Sequence, residues 1–416
     1  MEMTTSRNST VLKPFYSTPH PLAGEMVPLT LFDLATHDIF VPIMLVYTAP
    51  TPSNEELKEG LCRAVALYPH LAGRFAVDQQ GRRCIHINNE GVLVVEATVP
   101  VDLSANSYPE RPSPEEHDAG VALLQIKLNR YKCGGLAIGL ASHHLVADGH
   151  SMNTFLTTWA NTVQQGRDFT APSPFLDRGL TAVPRSVPTP AVAFDRQHPS
   201  APLSLSLSPS RFNNITVRFT AEFLAELKAR VGVRSSTFQC LLAHLWKRTT
   251  AARRLKPEEF TQVRVAVNCR GRADPPIPLE FFGNMVLGAF PRLQVQDVLS
   301  WSYGRVVGAI RDALARIDGD YVRSFLDFGA AYGAELTGKG GTMCCPNLEA
   351  DSWLGFRFHD LDFGGGPPAT FLPPDMPVEG LMVFMPSSVA RDGVDVYMSV
   401  AEDHVTTFQQ ICHSLD

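Results

Sequence analysis

Leu136-Ala137-Ile138-Gly139-Leu140-Ala141-Ser142-His143-His144-Leu145-Val146-Ala147-Asp148-Gly149 is the stretch that decides how this chain is read. Leu136 to Leu140 is a short apolar run bounded by glycines, which is the pattern of a buried strand. His144, Asp148 and Gly149 then form an H-x-x-x-D-G pattern, where the strand runs out through a turn into the helix-like stretch from Met152 to Val163. A stiff strand fixes an imidazole and a turn exposes it. Histidine titrates near neutrality, so it can take a proton and return it. His144 is therefore the candidate general base. On its own the hexapeptide is short enough to be met by chance. A metal site built from His143, His144 and Asp148 is disfavoured, because adjacent strand residues point to opposite faces; no metal is expected.

The chain has 416 residues, enough for two domains with full cores. Its apolar fraction of 44% and charged fraction of 19% are those of a globular protein. A net charge of −6 without a long basic stripe argues against nucleic acid as a partner. No apolar run has the length of a membrane span, and Met1 to Tyr16 lacks the apolar stretch of a signal peptide. The eight cysteines show no C-x-x-C spacing, so the expected compartment is the reducing cytoplasm. Cys344-Cys345 reads as two reduced thiols, and the sequons at Asn8 and Asn214 as unused.

Along the chain, Ser53 and Glu56 form a capping box that opens a helix reaching Leu67, with Leu57, Leu61, Ala64 and Val65 on its apolar face. Strands are predicted over Arg83–Ile87, Val92–Ala97, Leu123–Leu128 and Leu136–Ser142. From Ala171 to Asn214 the chain is rich in proline and lacks a helical period, as expected of an extended crossover. Beyond it a strand over Asn214–Phe219 leads to Thr220, which caps a helix over Ala221–Val231. Further helices are predicted over Ser236–Arg254, Val298–Arg316 and His404–Leu415. Val263–Asn268 reads as a strand, with Asn268, Arg270 and Arg272 alternating on one face beyond it. Leu381–Pro386 and Val394–Ser399 read as a hairpin around Arg391-Asp392-Gly393.

Four segments, taken in order, resemble the plant BAHD acyltransferases over nearly the whole chain. They are Tyr68-Pro69-His70-Leu71-Ala72-Gly73-Arg74, the H-x-x-x-D-G of His144 to Gly149, Val267 to Arg272 followed by Pro275-Pro276 and Phe282-Gly283-Asn284, and Asp362-Phe363-Gly364-Gly365-Gly366 with Ser352-Trp353 upstream. The last resembles the family's D-F-G-W-G, with Gly365 in place of the tryptophan; a locally looser loop is expected there, with Asp362 keeping a structural role. The resemblance implies an α/β fold of two chloramphenicol-acetyltransferase-like domains. Each has a mixed sheet with flanking helices, and an active-site channel lies between them. The N-terminal domain would be 1–170, the crossover linker 171–213 and the C-terminal domain 214–416. His144 would sit mid-channel, reached by coenzyme A from one face and by the acceptor from the other. Acyl-CoA would be a co-substrate, with no permanently bound cofactor.

Direct transfer in a ternary complex is expected, since no Ser or Cys lies in a nucleophile pattern. Asp148 is read as pointing away from the chemistry and holding the loop, and the resemblance pairs it with an arginine, of which Arg270 is favoured. Gly149 is read as supplying a backbone angle that other residues resist. Lys247, Arg248, Arg253 and Arg254 are candidates for the phosphates of coenzyme A, although basic residues at a helix C-terminus also answer its dipole. Gly338-Lys339-Gly340-Gly341 lacks P-loop spacing and reads as a mobile loop at the channel mouth.

Relatives that esterify shikimate-like acids carry an arginine shortly after the Ser-Trp, where Gly355 stands here, so a carboxylate acceptor is disfavoured. Val27 to Asp33 resembles the branch that acylates amines, and His37 and Phe40 follow in a segment that lines the acceptor pocket in relatives. Asp33, Asp38 and Glu379 are candidate carboxylates for a polyamine. The expected enzyme is a monomer that moves a hydroxycinnamoyl or benzoyl group from its CoA thioester to tryptamine, putrescine or agmatine. The alternatives are an O-acyltransferase and a catalytically silent binding relative.

Overall fold

A computed structural model describes residues 6–103, 120–181, 211–336, 345–375, 378–389 and 392–416. Two large mixed sheets organise it. The first has six strands in the order Ser6–Leu12, Val92–Val99, Leu124–Tyr131, Leu136–His143, Phe40–Tyr47 and Thr370–Leu372. The second runs Val286–Ala289, Phe260–Asn268, Leu348–Ser352, Leu381–Pro386, Val394–Ala401 and Phe212–Phe219, with Arg292–Gln294 also pairing on Phe260–Asn268. A small third sheet joins Met26–Pro28, Arg83–His86 and Arg74–Val77. This is the two-domain α/β plan with mixed sheets and flanking helices.

Local chemistry accounts for the main helices. Ser53 accepts from the Glu56 amide and Glu56 returns a carboxylate to the Ser53 amide, so the capping box sets the start of Asn54–Leu67. Its buried face of Leu57, Leu61, Ala64 and Val65 meets Phe155, Leu156 and Trp159 of the helix Gly149–Gln165. In the second half Thr220 caps Ala221–Val231, and the helix Thr237–Arg253 buries Leu241, Leu242, Leu245 and Trp246 against the sheet.

Four expectations are corrected. The helix predicted over Val298–Arg316 is two helices, Val295–Ser300 and Tyr303–Ala315, because Trp301 and Ser302 are extended and serine favours a helix start over an interior. The arginines beyond Asn268 are not on a strand: the strand ends there and Arg270–Arg272 form a 3₁₀ turn. The division at residue 214 is crossed, since Thr370–Leu372 pairs with Phe40–Tyr47 and Phe358, Leu361, Phe363 and Phe371 join the N-terminal core. Around Gly365 the chain makes a close approach: a Cβ there would lie 2.1 Å from the Pro50 carbonyl oxygen. The direction a side chain at Gly365 would take is thus blocked by backbone. The sequence reading also missed the helix Gly319–Leu336, whose Tyr321, Val322, Phe325 and Leu326 are buried. Residues 338–341, Cys344, the hairpin residue Arg391 and most of the crossover lie outside the described residues.

Candidate active site

His144 follows directly on the strand Leu136–His143. Its amide donates to the Ile39 carbonyl at 2.8 Å, and its own carbonyl accepts from Asn284 Nδ2 at 2.8 Å. The Thr36 hydroxyl lies 3.2 Å from Nδ1. The main chain of the histidine is therefore held by both halves of the protein, while the residue keeps part of its surface open. Burial among protein atoms pulls its pKa below the ordinary value, and the main-chain bond, the charge of Asp148 and the Asn284 bond oppose that without reversing it. The shift favours the unprotonated imidazole, the state a general base needs.

His143 points to the opposite face, as strand alternation demands. There it meets the rings of Phe40 and Phe75 edge-on, with centroids at 4.8 and 4.7 Å. Its Nε2 is 3.2 Å from Asp38. These residues line a cavity of about 340 Å³ together with Arg83. Phe40 thus packs on the His143 side, not against His144.

Asp148 is the N-cap of the helix Gly149–Gln165, and its Oδ1 accepts from the Ser151 amide at 2.9 Å. The Arg270 guanidinium grips the carboxylate at 2.8 and 3.0 Å, and the Met285 amide adds a bond at 3.0 Å. Arg270 also donates to the carbonyls of Phe281 and Gly283 and to Ser151 Oγ. The pair is 2% and 0% exposed, so neither charge is shared with solvent. Burial alone would raise the Asp148 carboxyl, but Arg270 and the two amides outweigh it and hold it below its usual range. The carboxylate is thereby turned away from the imidazole.

Gly149 opens the helix, and the backbone angle expected of it is absent. Its φ is not positive; instead a Cβ would come within 2.9 Å of Phe356 Cε2. Glycine is needed for space. Gly355 stands on the same Trp353-to-Phe358 segment, which the Arg357 amide fastens to Asn153 at 2.7 Å; no atom lies within 4 Å of where its Cβ would be. Asp362 accepts from the amides of Gly364 and Gly366 and from Gln164, and so shapes its own loop.

Of the four cations expected at the coenzyme phosphates, Arg254 is exposed and the other three are committed elsewhere. Lys247 Nζ donates to the carbonyls of Val298, Leu299 and Trp301, which the break in the helix would otherwise orphan. Arg248 reaches Tyr303 Oη and the Asp416 carbonyl. Arg253 is buried and forks onto Glu379 at 2.7 Å. That ion pair also removes Glu379 from the acceptor candidates. Asp33 is removed too, being buried and bonded to Arg178 at 2.8 Å and Asn284 at 2.9 Å. His37 does lie close to the site: burial lowers its pKa, Glu349 raises it, and Arg264 and His144 lower it. Thr36, Asn284 and Glu349 were missed as site residues. Asn284 sits in a segment already noted for its resemblance, and a role for its side chain could have been sought there.

The transferase family profile matches residues 2–415. Tryptamine benzoyltransferase 1 from Oryza sativa subsp. japonica is 53% identical over 100% of this chain and 98% of its own length. Tryptamine hydroxycinnamoyltransferase 2 from the same organism is 51% identical over 98% of each. Putrescine hydroxycinnamoyltransferase 3, also from rice, is 34% identical over 98% of this chain and 99% of its own. Among solved structures, vinorine synthase superposes with a TM-score of 0.71 at 23% identity, covering 97% and 96% of the two chains. Fusarium graminearum TRI101 complexed with coenzyme A and deoxynivalenol superposes with a TM-score of 0.76 at 20% identity, covering 92% and 97%. The fold and site define an acyltransferase, and the chain belongs to the BAHD transferase family.

Proposed function

We propose that this enzyme transfers a benzoyl or hydroxycinnamoyl group from its CoA thioester to a primary amine, tryptamine first, and releases an amide and free coenzyme A. The observation that carries the chemistry is His144, held by its main chain between the two halves and partly open, with burial favouring its unprotonated form. The choice of an amine is supported by relatives at 51–53% identity that are named for tryptamine. In this reading the amine nitrogen attacks the thioester carbon while His144 takes a proton from it. The C–S bond then breaks and the imidazolium returns the proton to the departing thiolate. General base catalysis of this kind contributes about 10²–10⁴-fold, and holding both substrates together contributes further. Asp148 and Arg270 hold the turn that presents the histidine.

The test is a thiol-release assay that crosses benzoyl-, coumaroyl- and feruloyl-CoA with tryptamine, tyramine, putrescine, agmatine and shikimate, with products identified by mass spectrometry. An amide of tryptamine is the expected product, and His144→Ala should fold yet lose about 10²-fold or more in kcat. An ester of shikimate as the sole product would overturn the amine reading. Full activity in His144→Ala would overturn the base.

A further inference from the structure

The strand Leu348–Ser352 carries two carboxylates on one face. Leu348 and Ala350 turn into the C-terminal core with Val263, Val265 and Met382, so strand alternation sends Glu349 and Asp351 the other way. Parallel register sets Glu349 beside Arg264, and Asp351 beside Val383. Val383 packs in the opposite core, the one that holds Leu145, Val146 and Ala147 next to His144. This acidic face is therefore turned toward the half of the protein that carries the imidazole. Electrostatics agree: the charges of Glu349, Arg264 and His144 all act on His37.

The two carboxylates differ in what compensates them. Glu349 is ion-paired with Arg264. Asp351 Oδ1 is closed off from solvent with no hydrogen-bond partner. Its charged neighbours are Glu349, which repels it, and Arg264, which is already engaged; Leu381 and Val383 on the adjoining strand are apolar. Burial first and Glu349 second push the Asp351 carboxyl up to about 6. An orphaned acceptor in a dry place calls for a donor from outside the chain. A primary alkylammonium supplies N–H donors and the missing positive charge together. Neither the thioester nor the coenzyme phosphates could.

Resting on the amine reading above, we propose that Asp351, backed by Glu349, recognises the ammonium group of the acceptor and so sets the specificity for amines. The acceptor arrives protonated and is drawn to this face; its excess proton passes to bulk water as the nitrogen moves from Asp351 to the partly open His144, and the imidazole takes the second proton as the lone pair attacks. Asp351 is a specificity residue here, with no bond made or broken on it.

Steady-state kinetics of the whole enzyme test this, with tryptamine and benzoyl-CoA as probes. Asp351→Asn should raise KM for the amine about tenfold or more, the loss expected for one charge-assisted hydrogen bond. The change in kcat should be smaller and the Kd for the acyl-CoA unchanged. Asp351→Glu should recover part of the KM. Glu349→Gln, whose charge is balanced by Arg264, should raise KM less. An amine KM within about twofold of wild type in both Asp351 variants overturns the recognition while the amine reading stands. A fall in acyl-CoA binding equal to that in amine binding, with a lowered Tm, makes Asp351 structural and likewise overturns it. Wild-type turnover of no amine overturns the amine reading itself.

Discussion

Asp148 and Arg270 form a pair across more than a hundred residues, which the family resemblance implied and the expected strand geometry did not. Breaking it leaves a buried guanidinium uncompensated, so Asp148→Asn should cost about 3–5 kcal/mol in chemical denaturation. The sign with pH follows from the direction of the shift. The Asp148 carboxyl is held low in the folded state, so its contribution is complete above the unfolded value of about 3.9 and is lost as pH falls through the folded one. The wild-type advantage over the variant should therefore be flat across neutral pH and shrink only in strong acid. His144 has its own pH signature. A base with a pKa below the ordinary imidazole value loses activity only as pH drops through that lowered value. The acid limb of kcat, measured with both substrates saturating, should have its midpoint under about 6.5. These residues were readable because a short motif places His144, Asp148 and Gly149 on one strand-turn-helix. The reason for Gly149 was not readable, since the ring it makes room for, Phe356, lies two hundred residues away.

Elements explain the misplaced cations. Sequence shows that Lys247 lies near the end of a helix, but not that the next helix is broken opposite it. Three carbonyls freed by that break converge on the ammonium. Burial pulls the Lys247 pKa down to about 8, yet the donors remain fully used. Lys247→Met should accordingly destabilise the fold by about 1–3 kcal/mol, the cost of unpaired buried acceptors, and leave KM for the acyl-CoA unchanged. A raised KM with unaltered Tm would restore the phosphate role. The acidic strand was hidden for a different reason. Leu348–Ser352 is five residues long, and two carboxylates in a period-2 pattern look like an exposed edge until the first half folds over them.

At the scale of the molecule, the two halves share a core. Thr370–Leu372 closes the edge of the N-terminal sheet, and Phe282, Phe358, Phe363 and Phe371 fill its core from beyond the crossover. Residues 1–213 expressed alone should lack this packing and show no cooperative melt in calorimetry, whereas the whole chain should show one. A sharp transition in the fragment would mean the halves fold independently. The two-sheet plan was legible from strand-like runs and ordered motifs. The crossing of Thr370–Leu372 was not, because three residues carry too little pattern to announce which sheet they join.

Gly365 leaves this loop no room for a side chain. Its backbone rests on the Pro50 carbonyl so closely that even a methyl group would stand 2.1 Å from the oxygen. A tryptophan written into this position by consensus design would first have to displace the Pro50 backbone, so the substitution should lower the melting temperature it aims to raise.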